Sequence, residues 1–336
     1  MGIIGCGYWG QNLVRNFFEA SSSTVTHICD LDAERLATIG RRYPTTAGVT
    51  DYQELLSNPD VDGVCIATAA STHYGIAREA LRAGKHVWVE KPLALLASEA
   101  RELTELASER SRVLMVDHTF VFTSAVQRMK ESIDSEELGK LLYYDSVRVN
   151  LGLYSHDVNV IWDLGPHDFS MIDYLLPYRP VAVSAVGACQ IGAGSRESQA
   201  YVTLEFAENL IAHFHVNWLA PVKIRLATVC GTKRMIVFDD TMMDEKVKIY
   251  DRGIEVNDSP DDRTRMLVEY RTGDMYAPKL AQTEALSVAA RHFADCVAGN
   301  ATPISGGEAG TRVVAMLEAA QRSLNKGGRR EEILYT

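Results

Sequence analysis

The chain has no run of the roughly 18 apolar residues that a membrane-crossing helix needs. Its start, Met1-Gly-Ile-Ile-Gly-Cys, has no basic segment leading into an apolar core. Both absences point away from an embedded or exported protein, and the cytoplasm is the expected location. Cysteine is sparse, with six residues (Cys6, Cys29, Cys65, Cys189, Cys230, Cys296) and no C-x-x-C pair. Most lie in apolar runs, so buried free thiols are expected rather than disulfides or a metal site. There is no His-x-x-x-His pair and no carboxylate cluster, and no metal is expected. Excess positive charge is also missing: a net charge of −10 argues against nucleic-acid or anionic-membrane binding over the whole surface. Repeats and low-complexity tracts are absent. What is present, 46% hydrophobic and 23% charged over 336 residues, is the composition of an ordinary globular enzyme. The length suits two domains, because single cores stop growing at about 250–300 residues.

The most informative stretch is the first. Gly2-Ile3-Ile4 runs into Gly5-Cys6-Gly7-Tyr8-Trp9-Gly10 and then into an amphipathic segment in which Leu13, Val14, Phe17 and Phe18 recur at helical spacing. This reads as strand, G-x-G-x-x-G turn and helix. Gly5 permits the tight turn, Gly7 removes a Cβ that would block a pyrophosphate, and Gly10 allows helix and strand to pack closely. The uncapped N–H groups of the helix then face the anion. A second apolar run, residues 24–29, ends at Asp30, about 20 residues beyond the last glycine, where a Rossmann unit places the carboxylate that accepts the ribose hydroxyls of NAD. The competing reading makes Asp30 a cap for the helix at 33–42. Asp32 is better placed for that, which leaves Asp30 for the ribose and favours NAD over NADP.

Residues 61–68 form a nearly all-apolar strand, as in a parallel sheet buried on both faces. A helix over 73–83 follows, and the strand 86–90 delivers Glu90-Lys91-Pro92 to the same edge. Ligands of open parallel sheets lie beyond the C-terminal strand ends, which brings Thr68, His73, Glu90 and Lys91 toward the cofactor; for His73 a solvent-exposed place in a first helical turn is the alternative. Pro92 restricts Lys91 to an extended conformation. A helix over 97–109 and a last strand over 113–117 complete a nucleotide domain over residues 1–120. Beyond it, residues 121–336 read as an α+β domain. Alternating runs near 142–151, 182–187, 199–205, 210–218, 223–230, 233–239 and 246–250 suggest a large, mostly antiparallel sheet of six or more strands. Residues 258–277 read as a long loop. Helices at 282–298 and 308–325 close the chain and can pack back on the first domain.

In Trp162-Asp163-Leu164-Gly165-Pro166-His167, Pro166 suits the first position of a helix. His167 then lies in the opening turn, where the positive helix end disfavours imidazolium. A neutral imidazole can take a proton from an alcohol, and Asp163, just upstream, can orient it or bind a sugar hydroxyl; a structural histidine is the alternative.

The turn G-C-G-Y-W-G, the run A-G-K-H-V-x-x-E-K-P at residues 83–92 and D-L-G-P-H at 163–167 resemble, over essentially the whole chain, the glucose-fructose oxidoreductase, inositol dehydrogenase and rhizopine-catabolism (Gfo/Idh/MocA) family. The resemblance implies an NAD(P) cofactor and a partner domain that carries a sugar or polyol. Lys91 matches the family's lysine near the nicotinamide, Asp163 its carboxylate and His167 its acid/base histidine. Two departures stand out. Ala69 replaces a frequent proline, and Asp117-His118-Thr119-Phe120-Val121 replaces a common Gly-His-x-x-Arg. The stretch from Arg148 to His167 is similar to a narrower branch that acts at C3 of nucleotide-linked sugars. There Arg148, Asn150 and Asn159 are candidates for a diphosphate and sugar hydroxyls, or are solvated strand ends. The leading expectation is an NAD-dependent nucleotide-sugar dehydrogenase or ketoreductase, with a free-polyol dehydrogenase as runner-up and a non-catalytic NAD-binding sensor as the reading from another class. A sheet with one uncovered face implies a homodimer or homotetramer.

Overall fold

Short apolar runs, each ended by turn residues, become six parallel strands: β1 (Gly2–Ile4), β2 (His27–Cys29), β3 (Ala47–Val49), β4 (Gly63–Ile66), β5 (His86–Glu90) and β6 (Leu114–Asp117). Their order is β3-β2-β1-β4-β5-β6, that of a doubly wound dinucleotide-binding sheet whose direction of winding reverses between β1 and β4. The residues of β4 and β5, such as Val64, Ile66, Val87 and Trp88, are fully buried, which requires helices on both faces. Those helices are α1 (Tyr8–Glu19), α2 (Ala33–Arg42), α3 (Tyr52–Ser57), α4 (Ala70–Arg82) and α5 (Ala97–Glu109).

This computed structural model describes residues 1–152, 157–190, 196–256 and 268–335, and the chain divides into two units. The parallel sheet belongs to the first, Met1–Thr123 with Thr283–Glu318 and Leu334–Thr336. The late segment joins it through the helix Ala285–Val297, whose Phe293 meets Phe17 and Trp88 edge-on at 6.1 and 5.7 Å. Just before that helix, Glu284 accepts two hydrogen bonds from Arg15 at 2.6 and 2.9 Å.

The second unit, Ser124–Gln282 with Ala319–Ile333, is built on β7 (Leu141–Leu151), β8 (Pro180–Ala188), β9 (Gln199–Phe206), β10 (Ile211–Asn217), β11 (Leu219–Gly231), β12 (Met235–Asp239) and β13 (Val247–Tyr250). With two short edge strands they form a nine-stranded sheet that is antiparallel except where β10 runs parallel to β7. Alternation sets its two faces: Ala200, Val202 and Leu204 point inward, and Tyr201 is exposed. Helix α6 (Ser124–Asp134) opens the unit, and α7 (Val160–Leu175) lies on the inner face, with Phe169 edge-on to Phe214 at 4.9 Å.

Three expectations need correction. The loop at 258–277 contains strands: Val268–Arg271 pairs with Gly253–Val256, and Met275–Tyr276 extends the large sheet; residues 258–267 lie outside the described residues. Cys6, Cys29, Cys65 and Cys296 are buried as expected, but Cys189 is exposed and Cys230 half-buried. Strand β3 went unread because three residues centred on Gly48 show no apolar pattern. No helix among the described residues is long and apolar enough to cross a membrane.

Candidate active site

In the first unit the glycine turn has the shape of a dinucleotide cradle. Gly5 has a φ of +89°, where an L side chain is strained, and its N–H donates to the Cys29 carbonyl at 2.8 Å. A Cβ on Gly10 would come within 1.9 Å of the Gly5 carbonyl oxygen, so only glycine lets α1 approach the turn. A Cβ on Gly7 would meet nothing within 4 Å, which leaves that side open to a ligand. Helix α1 has no side-chain cap and no acidic residue in its first turn, so its leading amides are available to a pyrophosphate. Tyr8 and Trp9 stand exposed on that turn, their rings edge-to-face at 5.5 Å. These residues fit a dinucleotide.

Asp30 follows β2 at the predicted place but is not left free. Its Oδ2 accepts the Cys6 N–H at 2.7 Å, its Oδ1 accepts the Asp32 N–H at 2.9 Å, and Arg35 Nη1 lies 3.0 Å from both oxygens. Burial opposes ionisation, but the two amides and the guanidinium outweigh it and hold the carboxyl below its usual range. The capping role belongs to Asp32, which accepts from Glu34 and Arg35. Asp30 therefore ties the glycine turn to α2 and still lies at the strand end.

Further along the same edge, α4 begins at Ala70, three residues earlier than read from the sequence. His73 is consequently in its interior and buried, which overturns the solvent-exposed alternative. Its Nδ1 lies 2.7 Å from the Pro92 carbonyl oxygen and its Nε2 3.2 Å from that of Thr68. One imidazole thus fastens the β4 end to the segment that carries Lys91, across a cis Lys91–Pro92 bond. Thr68 Oγ1 pairs with Thr72 Oγ1 at 2.7 Å. Glu90 at the end of β5 is buried next to Asp117 at the end of β6. Burial, and then Asp117, push the Glu90 carboxyl well up. His118 is buried with no hydrogen-bond partner for either ring nitrogen among the described residues, and burial, then Lys91, push it down to about 3. Neither Asp117 nor His118 was singled out for the site from the sequence; their burial beside a lysine is a tertiary property.

In the second unit, α7 starts six residues before Pro166. Asn159 is its N-cap, accepting the Trp162 N–H at 3.2 Å, and Pro166 lies inside the helix. The expected place of His167 in an opening turn is therefore wrong, and so is the electrostatic argument built on it, because helix-end fields fade within a turn. Asp163 sits in the first turn instead, on the same helix face as His167 by the i, i+4 spacing. Trp218 Nε1 donates to Asp163 Oδ2 at 2.9 Å, an orienting contact that sequence reading missed.

Two of the three polar candidates ahead of Asp163 hold structure. Arg148 is buried in β7, where its Nε donates to Asp168 Oδ2 at 2.8 Å while Ser146 Oγ donates to Oδ1 at 2.7 Å. Asn159, besides capping α7, donates to Glu197 and Gln321, each at 2.9 Å. Neither is a solvated strand end. Asn150 lies half-buried near the end of β7.

Against this geometry, the comparisons with known proteins agree in kind. Residues 1–118 match a family model described as an oxidoreductase family with an NAD-binding Rossmann fold. Residues 126–237 match the GFO/IDH/MocA C-terminal domain. Over 316 residues the chain is 28% identical to a UDP-N-acetylglucosamine 3-dehydrogenase of Acidithiobacillus ferrooxidans, covering 94% of this chain and 93% of that protein. A solved structure of an enzyme of that name and organism aligns with a TM-score of 0.79 at 26% identity, over 97% of each chain. A scyllo-inositol 2-dehydrogenase (NAD(+)) of Bacillus subtilis is 29% identical over 266 residues, 76% of this chain and 72% of its own.

Proposed function

Because this chain belongs to the GFO/IDH/MocA oxidoreductase family and is an NAD(P)-dependent dehydrogenase acting on CH–OH groups, we propose that its reaction is hydride transfer between NAD and C3 of a nucleotide-linked sugar. The observation that carries the substrate class is the likeness to a nucleotide-sugar 3-dehydrogenase along nearly the full length of both chains. Asp30 at the end of β2 supports NAD over NADP, because a carboxylate there repels a 2′-phosphate.

When bound, the nicotinamide supplies a hydride acceptor or donor. The chain's own residues then have separable tasks. The amides of the Gly5–Gly10 turn bind the pyrophosphate, and Asp30 accepts a ribose hydroxyl. His167 takes the proton of the carbinol as general base. Asp163, itself oriented by Trp218, turns that imidazole or binds a neighbouring hydroxyl. Lys91 donates a hydrogen bond to the carbinol oxygen and stabilises the negative charge that develops on it. His73 fixes the backbone on which Lys91 stands.

A free polyol is the second reading, favoured by the inositol dehydrogenase among the relatives. The two are separated by thermal shift in the presence of NADH: UDP- and dTDP-hexoses raise the melting temperature on the first reading, and only myo-inositol does so on the second. His167→Asn and Lys91→Ala are each expected to lower kcat by about 10² to 10⁴-fold while leaving NAD affinity nearly intact. Near-normal turnover in both variants contradicts the assignment.

A further inference from the structure

Glu90 ends β5 and Asp117 ends β6, and the parallel register sets the two residues opposite one another. Both are buried, side by side at the ends of neighbouring strands, and burial pushes both carboxyls up. Two negative charges buried that close repel, which favours a proton on one of them.

The surroundings are equally specific. Thr119 Oγ1 donates to Asp117 Oδ1 at 2.6 Å, leaving that oxygen as an acceptor. Lys91, next in the chain after Glu90, brings an opposite charge that acts on both carboxyls. The Cys65 thiol on β4 is held protonated, pushed well up by burial and then by Glu90, and His118 beyond β6 is held neutral by burial. His73 on α4 is engaged with the carbonyls of Pro92 and Thr68. Glu90 Oε1 and both ring nitrogens of His118 are buried polar atoms without a hydrogen-bond partner among the described residues. A buried group in that state is sensitive to any charge or donor brought near it.

We propose that Glu90 and Asp117 share one proton at neutral pH and release it when positive charge is added at this end of the sheet, so that the pair follows the redox state of the bound dinucleotide. The link to the dinucleotide rests on the dehydrogenase reading. With the oxidised, cationic nicotinamide bound, the pair carries two negative charges. Hydride transfer makes the ring neutral, and the pair takes up one proton. The substrate loses a hydride to the ring and its hydroxyl proton to His167, and the proton that the pair takes up comes from solvent, so atoms and charge balance. Glu90 and Asp117 touch neither substrate nor ring in this scheme; they act through Lys91 as positioning residues that keep the local charge constant.

Infrared spectroscopy of the protein without cofactor tests the pair directly. A carbonyl band of a protonated carboxyl is expected at neutral pH, disappearing at alkaline pH and missing in both Asp117→Asn and Glu90→Gln. Having two variants guards against one that fails to fold. No such band in the unmodified protein overturns the pair, and so does a band that persists in either variant, because it then comes from a single buried acid or from elsewhere. Proton release on cofactor binding, followed with an indicator dye in weak buffer, tests the coupling. NAD is expected to release close to one proton more than NADH, and Asp117→Asn to abolish the difference. Equal release overturns the coupling. If calorimetry finds that neither form binds, the dehydrogenase reading itself fails and the coupling with it, while the infrared band still decides the pair.

Discussion

Asp30 shows how one residue can serve both the fold and the ligand. Its position after an apolar strand, at the right distance from the glycines, was legible in the sequence because turn chemistry and strand length are local. Its ties to Cys6, Asp32 and Arg35 were not, since they depend on where β2 and α2 come to lie. If the carboxylate also accepts the ribose hydroxyls, Asp30→Ala removes charge-assisted hydrogen bonds of about 1.5–3 kcal/mol. The preference for NAD over NADP should then shrink by about 10- to 100-fold in calorimetric titrations; an unchanged ratio makes Asp30 purely a tie for the turn. His118 sets a second test. Its imidazole ordinarily titrates near 6.5 and is pushed down to about 3 by burial and by Lys91. Between those values the unfolded chain binds a proton that the folded chain does not, so stability must fall as pH drops through this window. Urea denaturation at about pH 7 and about pH 5 should show that the unmodified protein loses up to about 2 kcal/mol more than His118→Phe over that step. Equal losses would mean that the folded ring is not held neutral.

Among the elements, the strands of the parallel sheet other than β3 were readable because burial on both faces forces nearly continuous apolar runs. Helix α7 was misread for a physical reason. Proline ordinarily opens helices, and the six residues before Pro166 include no earlier proline; the signal for the true start is Asn159, a single capping side chain. The cost of an internal proline is borne by a helix that is buried along much of its length and anchored to β7 by Arg148, Ser146 and Asp168. That anchor leads directly to His167, the neighbour of Asp168. The side chains of Arg148 and Asp168 are only 5% and 1% exposed. Removing one partner of a buried pair leaves the other charge uncompensated, at about 3–5 kcal/mol. Arg148→Ala should lower unfolding free energy by that order. A variant with unchanged stability and a raised KM for the sugar would instead make Arg148 a substrate ligand.

At the scale of the whole molecule, the large sheet of the second unit keeps one face uncovered by the elements of its own unit. Tyr143, Tyr201, Ile211 and Ile224 are exposed on it, and Tyr201 stacks on His215 at 4.3 Å. Exposed apolar side chains grouped on one face mark an interface, and we propose that copies of the chain associate through it. Light scattering at micromolar concentration should give at least twice the mass of one chain, and Tyr201→Glu with Ile211→Glu should give a monomer; a monomeric unmodified protein removes the idea. The central claim is that hydride leaves C3 of a nucleotide-linked sugar for the nicotinamide. It is tested most directly with UDP- and dTDP-hexoses carrying deuterium at C3, incubated with NAD and followed by mass spectrometry of the reduced cofactor. The account predicts deuterium in the reduced dinucleotide and its near-absence with His167→Asn. Reduced cofactor formed from myo-inositol alone, or formed from these sugars without the label, would contradict it.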